Sequence, residues 1–295
     1  APLIGVAAAY GVAIELARDP ESLDAACALL VAARPTAANL AGAVKRVREA
    51  AETVAPGPER AAAALRQARA LEAQERAASE AIARHGADLL TGRRRPLTHC
   101  NTGALATPGR GTALAVIAEL ALRGGLERVL VCETRPLLQG ARLTAYELDR
   151  LEIEHAVIVD GAGPALIAAG EVDAVVVGCD RVAANGDVAN KVGTYAQALA
   201  AAAAAIPFVV AGPTTTIDPG CPSGAEIAIE QRDENEVLSI AGSGGDRVAL
   251  APLQTRCLNP AFDVTPAALV TALVTERGIA SPSRGESVLP LLQGW

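Results

Sequence analysis

The chain contains no methionine, one tryptophan, two phenylalanines, three tyrosines and three histidines in 295 residues. Aromatic residues make up 2% of it, too few for the stacking platforms on which bases are read. Basic residues are also in short supply. The 26 Lys and Arg face 33 Asp and Glu, a formal net charge of −7, which argues against nucleic-acid binding by bulk electrostatics. Gly, Asp or Pro cuts every apolar stretch well before the roughly 20 residues that a membrane span needs, and no signal peptide is visible. The six cysteines, at 27, 100, 132, 179, 221 and 257, include no CxxC pair. That pattern fits reduced thiols in a well-cored chain, not a zinc ribbon or a disulfide framework. There is no GxGxxG after a strand, no GxxxxGK[ST] and no HExxH, so nicotinamide, nucleoside-triphosphate and zinc-hydrolase chemistry fit poorly. The first residue is Ala1 and not Met. The natural N-terminus is therefore expected upstream.

What is present is a core: 51% hydrophobic residues, mostly Ala, Val, Leu and Ile, with 20% charged. Such a composition folds, and the length suits about two domains at ~150 residues each, or one large one. Residues 1–90 read as alanine-rich helices interrupted at 54–60, with Ser22 or Asp24 as the cap of a helix ending at Ala32. From about 96 the texture changes. Short β-branched runs at 128–133, 155–160, 174–180 and 206–212 alternate with helix-like stretches at 111–124, 139–151, 163–170 and 190–205. Strands alternating with helices predict an α/β fold, a doubly wound and mainly parallel sheet. Its ligand is expected beyond the carboxyl ends of the strands. The expected division is a mostly helical N-terminal domain over 1–92 and a Rossmann-like catalytic domain over 93–295.

Four segments are candidates for chemistry. In "LTHCNTGALATPGRGTA" (97–113), small residues around Cys100 allow close backbone approach, and a helix beginning near Gly111 offers free N–H groups to an anion. Cys100 is then either an activated thiolate or an inert buried thiol. In "GCDRVAANGDVANKVGTY" (178–195), Asp180 ends a strand and Asn185-Gly186-Asp187 makes a turn. Asn190 and Lys191 are expected at a helix start, where Lys191 can hold a phosphate. The alternative is a capping Asp180 and a solvated Lys191. In "ETRPLLQGARLTAYEL" (133–148), Glu133, Arg135, Gln139 and Arg142 form either an anion clamp or a surface ion-pair cluster. In "ARPTAANL" (33–40), Arg34 precedes Pro35 in an extended turn before a helix, where a lone Arg usually faces solvent. His85 and His99 have no partner at metal-ligand spacing. The acidic stretch holding Glu226, Glu230, Asp233 and Glu234 reads as a solvated loop.

Together with "APLIGVAAAYG" (1–11), "PTTTID" (213–218) and "NPAFDVTPAALVTALVTERG" (259–278), these segments resemble the methylthioribose-1-phosphate isomerase family over almost the whole chain. That fold is shared with initiation factor 2B regulatory subunits and ribose-1,5-bisphosphate isomerase. The resemblance implies aldose–ketose isomerisation of 5-methylthioribose 1-phosphate in methionine salvage. It implies no metal or organic cofactor and no nucleic-acid or membrane partner, and a cytoplasmic homodimer acting on a small sugar phosphate. It implies Cys100 as the active-site cysteine, as base or transition-state stabiliser, and Asp180 as proton donor, kept neutral by an apolar pocket. It implies Ala1, Arg34, Gln139, Asn190 and Lys191 as substrate-binding residues, Ala1 as the last residue of an Arg-Gly-Ala segment. The chain departs from the family at Gly42, where an aromatic residue is common, and at Cys179, where Ala is usual. Isomerisation of another pentose 1-phosphate, such as 5-deoxyribose 1-phosphate, and non-catalytic sensing of a nucleotide or sugar phosphate are the competing readings.

Overall fold

The computed structural model describes residues 2–33, 38–242, 246–252 and 254–293; Ala1 and Arg34 lie outside them. Four helices come first: α1 (Pro2–Arg18), α2 (Leu23–Ala32), α3 (Ala38–Glu52) and α4 (Pro58–Leu89). Pro58 sits in the first turn of α4, where its missing N–H costs nothing. Ser22 flanks α2, but its hydroxyl donates to the Asp19 carbonyl instead of capping the helix. Apolar residues at helical spacing, such as Val6, Ala9, Ala13 and Leu16 on α1 and Leu40, Val44 and Val47 on α3, make one core with Ala64, Ala68 and Leu71 on α4.

The remainder alternates strand and helix. In order come β1 (Pro96–Thr98), α5 (Ala113–Leu122), β2 (Val129–Cys132), α6 (Ala145–Arg150), β3 (His155–Ile158), α7 (Ala162–Ala168) and β4 (Ala174–Val177). Then follow β5 (Arg181–Ala183), β6 (Val188–Lys191), α8 (Thr194–Ala203), β7 (Phe208–Ala211), β8 (Ile217–Asp218), α9 (Asn235–Leu238), β9 (Ser239–Ala241), β10 (Arg247–Ala249), β11 (Phe262–Thr265), β12 (Ala272–Thr275) and β13 (Gly278–Ala280). The main sheet runs β13-β12-β7-β4-β1-β2-β3. All its pairs are parallel except β12 with β13, as the strand–helix alternation predicts.

Period-two burial covers both faces. Val129, Val131, Val176, Val209 and Val274 meet Ile82 and Ala87 of α4 and Leu114, Val116 and Ile117 of α5. Leu97, Leu130, Val175, Val177 and Val210 meet Ile167 of α7 and Ala198 and Ala201 of α8. Each fully buried Leu or Ile contributes about 1.5–3 kcal/mol. The long helix α4 thus serves the helical core with its first half and the sheet with its second.

A second sheet, β11-β6-β5-β8, stands beside the first and corrects the expectation for residues 190–205. Asn190 and Lys191 lie on β6, paired with Asp263 and Phe262 of β11, and α8 starts only at Thr194. The turn at Gly186 (φ +89°) folds β5 back on β6, so the apolar run that follows continues as a hairpin strand and not as a helix.

The α4–α5 contact tolerates no side chain at Gly86. A Cβ there would lie 2.4 Å and 2.8 Å from the two methyls of Val116, whose β-branched rotamer is fixed in a helix. Alanine at an interior helical position gains up to ~1 kcal/mol of propensity, while overpacking costs about 1–3 kcal/mol. Gly86→Ala is expected to lose about 1–2 kcal/mol in urea unfolding, with most of it restored in Gly86→Ala/Val116→Ala.

Candidate active site

Strand order reverses at β1. The chain runs outward through β2 and β3, then returns to β4 on the other side of β1. The crevice between neighbouring strands whose connections diverge is where open α/β sheets bind ligands. Cys100 lies two residues past the end of β1, and Asp180 three past the end of β4. Both line one cavity of about 220 Å³, together with Gln139, Asn190 and Lys191. Five of the seven residues singled out in the sequence therefore converge; Ala1 and Arg34 fall outside the described residues.

Cys100 is held in a left-handed backbone conformation (φ +63°). Such strain persists only where the surroundings over-determine it, and here two hydroxyls do so. The Cys100 N–H donates to Thr134 Oγ1 at 2.9 Å, and Thr144 Oγ1 donates to the Cys100 carbonyl at 2.6 Å. Thr134 also carries positive φ (+67°). It is pinned in turn: the N–H groups of Thr134 and Arg135 each donate to the Asp160 carboxylate at 2.7 Å. The loop after Cys100 is tied to Glu147, a buried carboxylate that accepts from Asn101 Nδ2 (2.8 Å) and the Ala104 N–H (2.6 Å).

The small residues here are required by packing between loops. A Cβ on Gly103 would overlap the Glu147 carboxylate, one on Gly111 (φ +112°) would lie 2.3 Å from the Thr102 carbonyl, and one on Gly178 would lie 2.6 Å from the Thr102 methyl. Thr102 also accepts the Leu114 N–H of α5 at 3.0 Å. Part of the free N–H set expected at that helix start is thereby used. At α8 the correction is larger. Its first N–H groups, from Gly193 (2.7 Å) and Tyr195 (3.2 Å), are taken by the Asp263 carboxylate, so they are not available to a phosphate beside Lys191.

Lys191 itself is buried, not solvated. Its Nζ donates to the Ala261 carbonyl at 2.8 Å and stands 4.7 Å from the centre of the Phe262 ring. Asn190 Nδ2 donates to Thr194 Oγ1 at 3.0 Å. Gln139 follows a turn into a short π-helical segment, Gly140–Thr144, and its buried Oε1 has no hydrogen-bond partner among the described residues. Of the four polar residues in that turn, Gln139 lines the cavity. Arg135 donates to the Pro136 and Val237 carbonyls and Arg142 to the Leu137 carbonyl. Arg232, which no motif flagged, also lines the cavity, braced by Glu230 and Glu236. The expected solvated acidic stretch is in part this brace.

Burial pushes the Cys100 thiol up to about 11, against the opposing pull of Lys191. Desolvation thus outweighs the nearby cation and favours the neutral thiol over an activated thiolate. Cys179 beside Asp180 is likewise pushed up to about 12 by burial and donates to Thr216 Oγ1 at 3.3 Å.

The initiation factor 2 subunit family model matches residues 1–282. The chain belongs to this family. Within it, methylthioribose-1-phosphate isomerase of Anaeromyxobacter sp. (strain K) is 53% identical over 281 residues, covering 95% of this chain and 80% of the relative. The enzyme of that name from Cronobacter sakazakii is 49% identical, with 96% and 82% covered. Among solved structures of the family, 5-methylthioribose 1-phosphate isomerase from Pyrococcus horikoshii OT3 superposes with a TM-score of 0.85 at 37% identity, covering 99% of this chain and 83% of that one. Translation initiation factor eIF-2B, subunit delta, from A. fulgidus superposes with a TM-score of 0.81 at 36% identity, covering 99% and 86%.

The raised thiol is open to a direct check. Alkylation of Cys100 by iodoacetamide, followed by peptide mass mapping, is expected to be slow at pH 7 and to rise about tenfold per pH unit toward about 11. A plateau reached by pH 8 would contradict it.

Proposed function

We propose that this chain is an aldose–ketose isomerase that converts 5-methylthioribose 1-phosphate into 5-methylthioribulose 1-phosphate in methionine salvage, the activity for which its curated relatives are named. The observation that carries the reading is the shared cavity at the strand-order reversal. It gathers a carboxyl group, two thiols, three carboxamides, an ammonium and a guanidinium within one small space with apolar walls from Ile4, Leu137, Pro213 and Phe262. The initiation-factor relative has the same fold, but the curated relatives at 53% and 49% identity carry the isomerase name, which favours catalysis over sensing.

The chemistry accounts for these groups. Phosphate on the anomeric oxygen prevents the ring from opening to a free aldehyde. Asp180 donates a proton to the ring oxygen, and the C1–ring-oxygen bond breaks. Hydrogen then passes from C2 to C1 with its electron pair, while the C2 hydroxyl gives its proton to the Asp180 carboxylate, restoring the acid, and C2 becomes the carbonyl. A phosphate dianion entering the cavity further disfavours a thiolate, so the direct hydride shift fits better than Cys100 acting as base. In this scheme the polarisable Cys100 sulfur faces the positive charge that develops at C1. Lys191 neutralises phosphate charge, Asn190 and Gln139 bind polar oxygens, and the unpartnered Gln139 Oε1 suits a sugar hydroxyl. Arg34 and Ala1 join them by family resemblance. The apolar walls exclude water from the opened sugar. The division into a helical part over 1–92 and a catalytic part over 93–295, and the cytoplasmic homodimer, belong to the same reading.

Asp180→Asn and Cys100→Ala are each expected to lower kcat by about 10²–10⁴-fold with the fold retained, measured in a coupled assay against circular dichroism. Near-wild-type turnover removes that residue from the scheme. Lys191→Ala is expected to raise KM about tenfold or more with a smaller effect on kcat, because phosphate charge is present throughout the reaction. Turnover in D2O is expected to leave C1 free of solvent deuterium, and incorporation would restore the proton-transfer route.

A further inference from the structure

Next to Cys100 in the chain, but outside the lining of the substrate cavity, three side chains that the reaction does not use come together. They are His99 at the end of β1, Cys132 at the end of β2 and Asp160 just past β3. The ligand atoms of all three lie within 4.8 Å of one another. His99 and Cys132 are fully buried, and Asp160 keeps one side toward solvent. The sequence separates them by 33 and 28 positions, which is why no motif revealed them.

The tautomer of His99 is fixed by its surroundings. Its Nε2 lies 2.9 Å from the Val192 carbonyl, which can only accept, so Nε2 carries the proton. Nδ1 is then a lone pair, and it is buried with no hydrogen-bond partner among the described residues. It faces Asp160 Oδ1 at 3.9 Å. A buried lone pair left unmatched is destabilising, and a cation would relieve it. An imidazole whose other nitrogen donates to a backbone carbonyl is also the usual outer-shell arrangement of a metal-bound histidine. Asp160 is prepared in the same way, since two backbone N–H groups orient its carboxylate.

We propose that His99 Nδ1, Cys132 Sγ and an Asp160 oxygen form a site for a borderline-soft divalent cation of the zinc class. One nitrogen, one sulfur and one oxygen select such an ion over magnesium or calcium. Three protein ligands leave a fourth position for water on the solvent side of Asp160. Binding exchanges the Cys132 S–H bond for a metal–sulfur bond and releases the proton to solvent, with no redox change. The site adjoins the catalytic cavity without sharing its residues. It touches the Asp160–Thr134 clamp on Cys100, so the cation stiffens the floor under the thiol.

Cobalt(II) added to the metal-stripped full chain is the probe, read by its thiolate charge-transfer absorption, with zinc displacing it. One cobalt per chain is expected, with the band kept in Cys100→Ser and lost in Cys132→Ala. His99→Gln and Asp160→Asn are expected to weaken zinc by at least about 100-fold, above the range for outer-shell partners. Thermal melts of each metal-free variant separate lost binding from lost folding. No thiolate band in the parent chain, or a band that survives in folded Cys132→Ala, overturns the site. Neither result bears on the isomerase assay, which tests the reading of the substrate cavity separately.

Discussion

Everything at the candidate active site depends on how closely two strand-end loops approach each other. Thr102, after β1, rests its methyl where a side chain on Gly178, after β4, would have to stand. Its hydroxyl accepts the Leu114 N–H of α5, and its carbonyl accepts the Thr112 N–H. One residue therefore locks the first loop to the helix it enters and sets the gap to the second loop. With that contact in place, Cys100 and Asp180 share a wall of the same cavity. A bulkier residue at Gly178 would push the loops, and with them the thiol and the carboxyl group, apart.

Around that contact the polar groups form tiers. Glu147 ties down one side of the Cys100 loop, and Asp160, through Thr134, ties down the other. These carboxylates accept mainly from backbone N–H groups, whose positions the strands set. Preorganisation here comes from charged acceptors on fixed amides, and it maintains an unfavourable backbone conformation at Cys100. Desolvation raises the thiol against the opposing pull of Lys191.

Much of the frame could be read from the sequence, because the inner parallel strands are buried on both faces and leave continuous apolar runs, while the edge strand β3 shows as a β-branched run although it is part-exposed. The runs at 128–133, 155–160, 174–180 and 206–212 hold β2, β3, β4 and β7. The second sheet escaped notice because β5, β6 and β11 are three or four residues long and mix Arg, Asn, Lys and Asp with Val and Ala. Their partners are set by a turn and by distant pairing, not by pattern. Cys100 and Asp180 stood out because polar residues interrupted apolar runs at strand ends. Arg232 gave no such signal: it sits among acidic neighbours that read as solvated until the fold folds them against the cavity. The capture of the α8 N-terminus by Asp263 was equally hidden, since the two come together only through the β6–β11 pairing.

The long helix α4 has a consequence for how this architecture can vary. Its first turns carry Ala64, Ala68 and Leu71 into the helical core, and its last turns carry Ile82 and Ala87 into the sheet core. The two hydrophobic interiors meet along one rod, with no flexible tether between them. Grafting the opening helices of another family member onto this sheet would cut through a packed surface, so recombination between such chains is tolerated only where the crossover carries the whole rod with it.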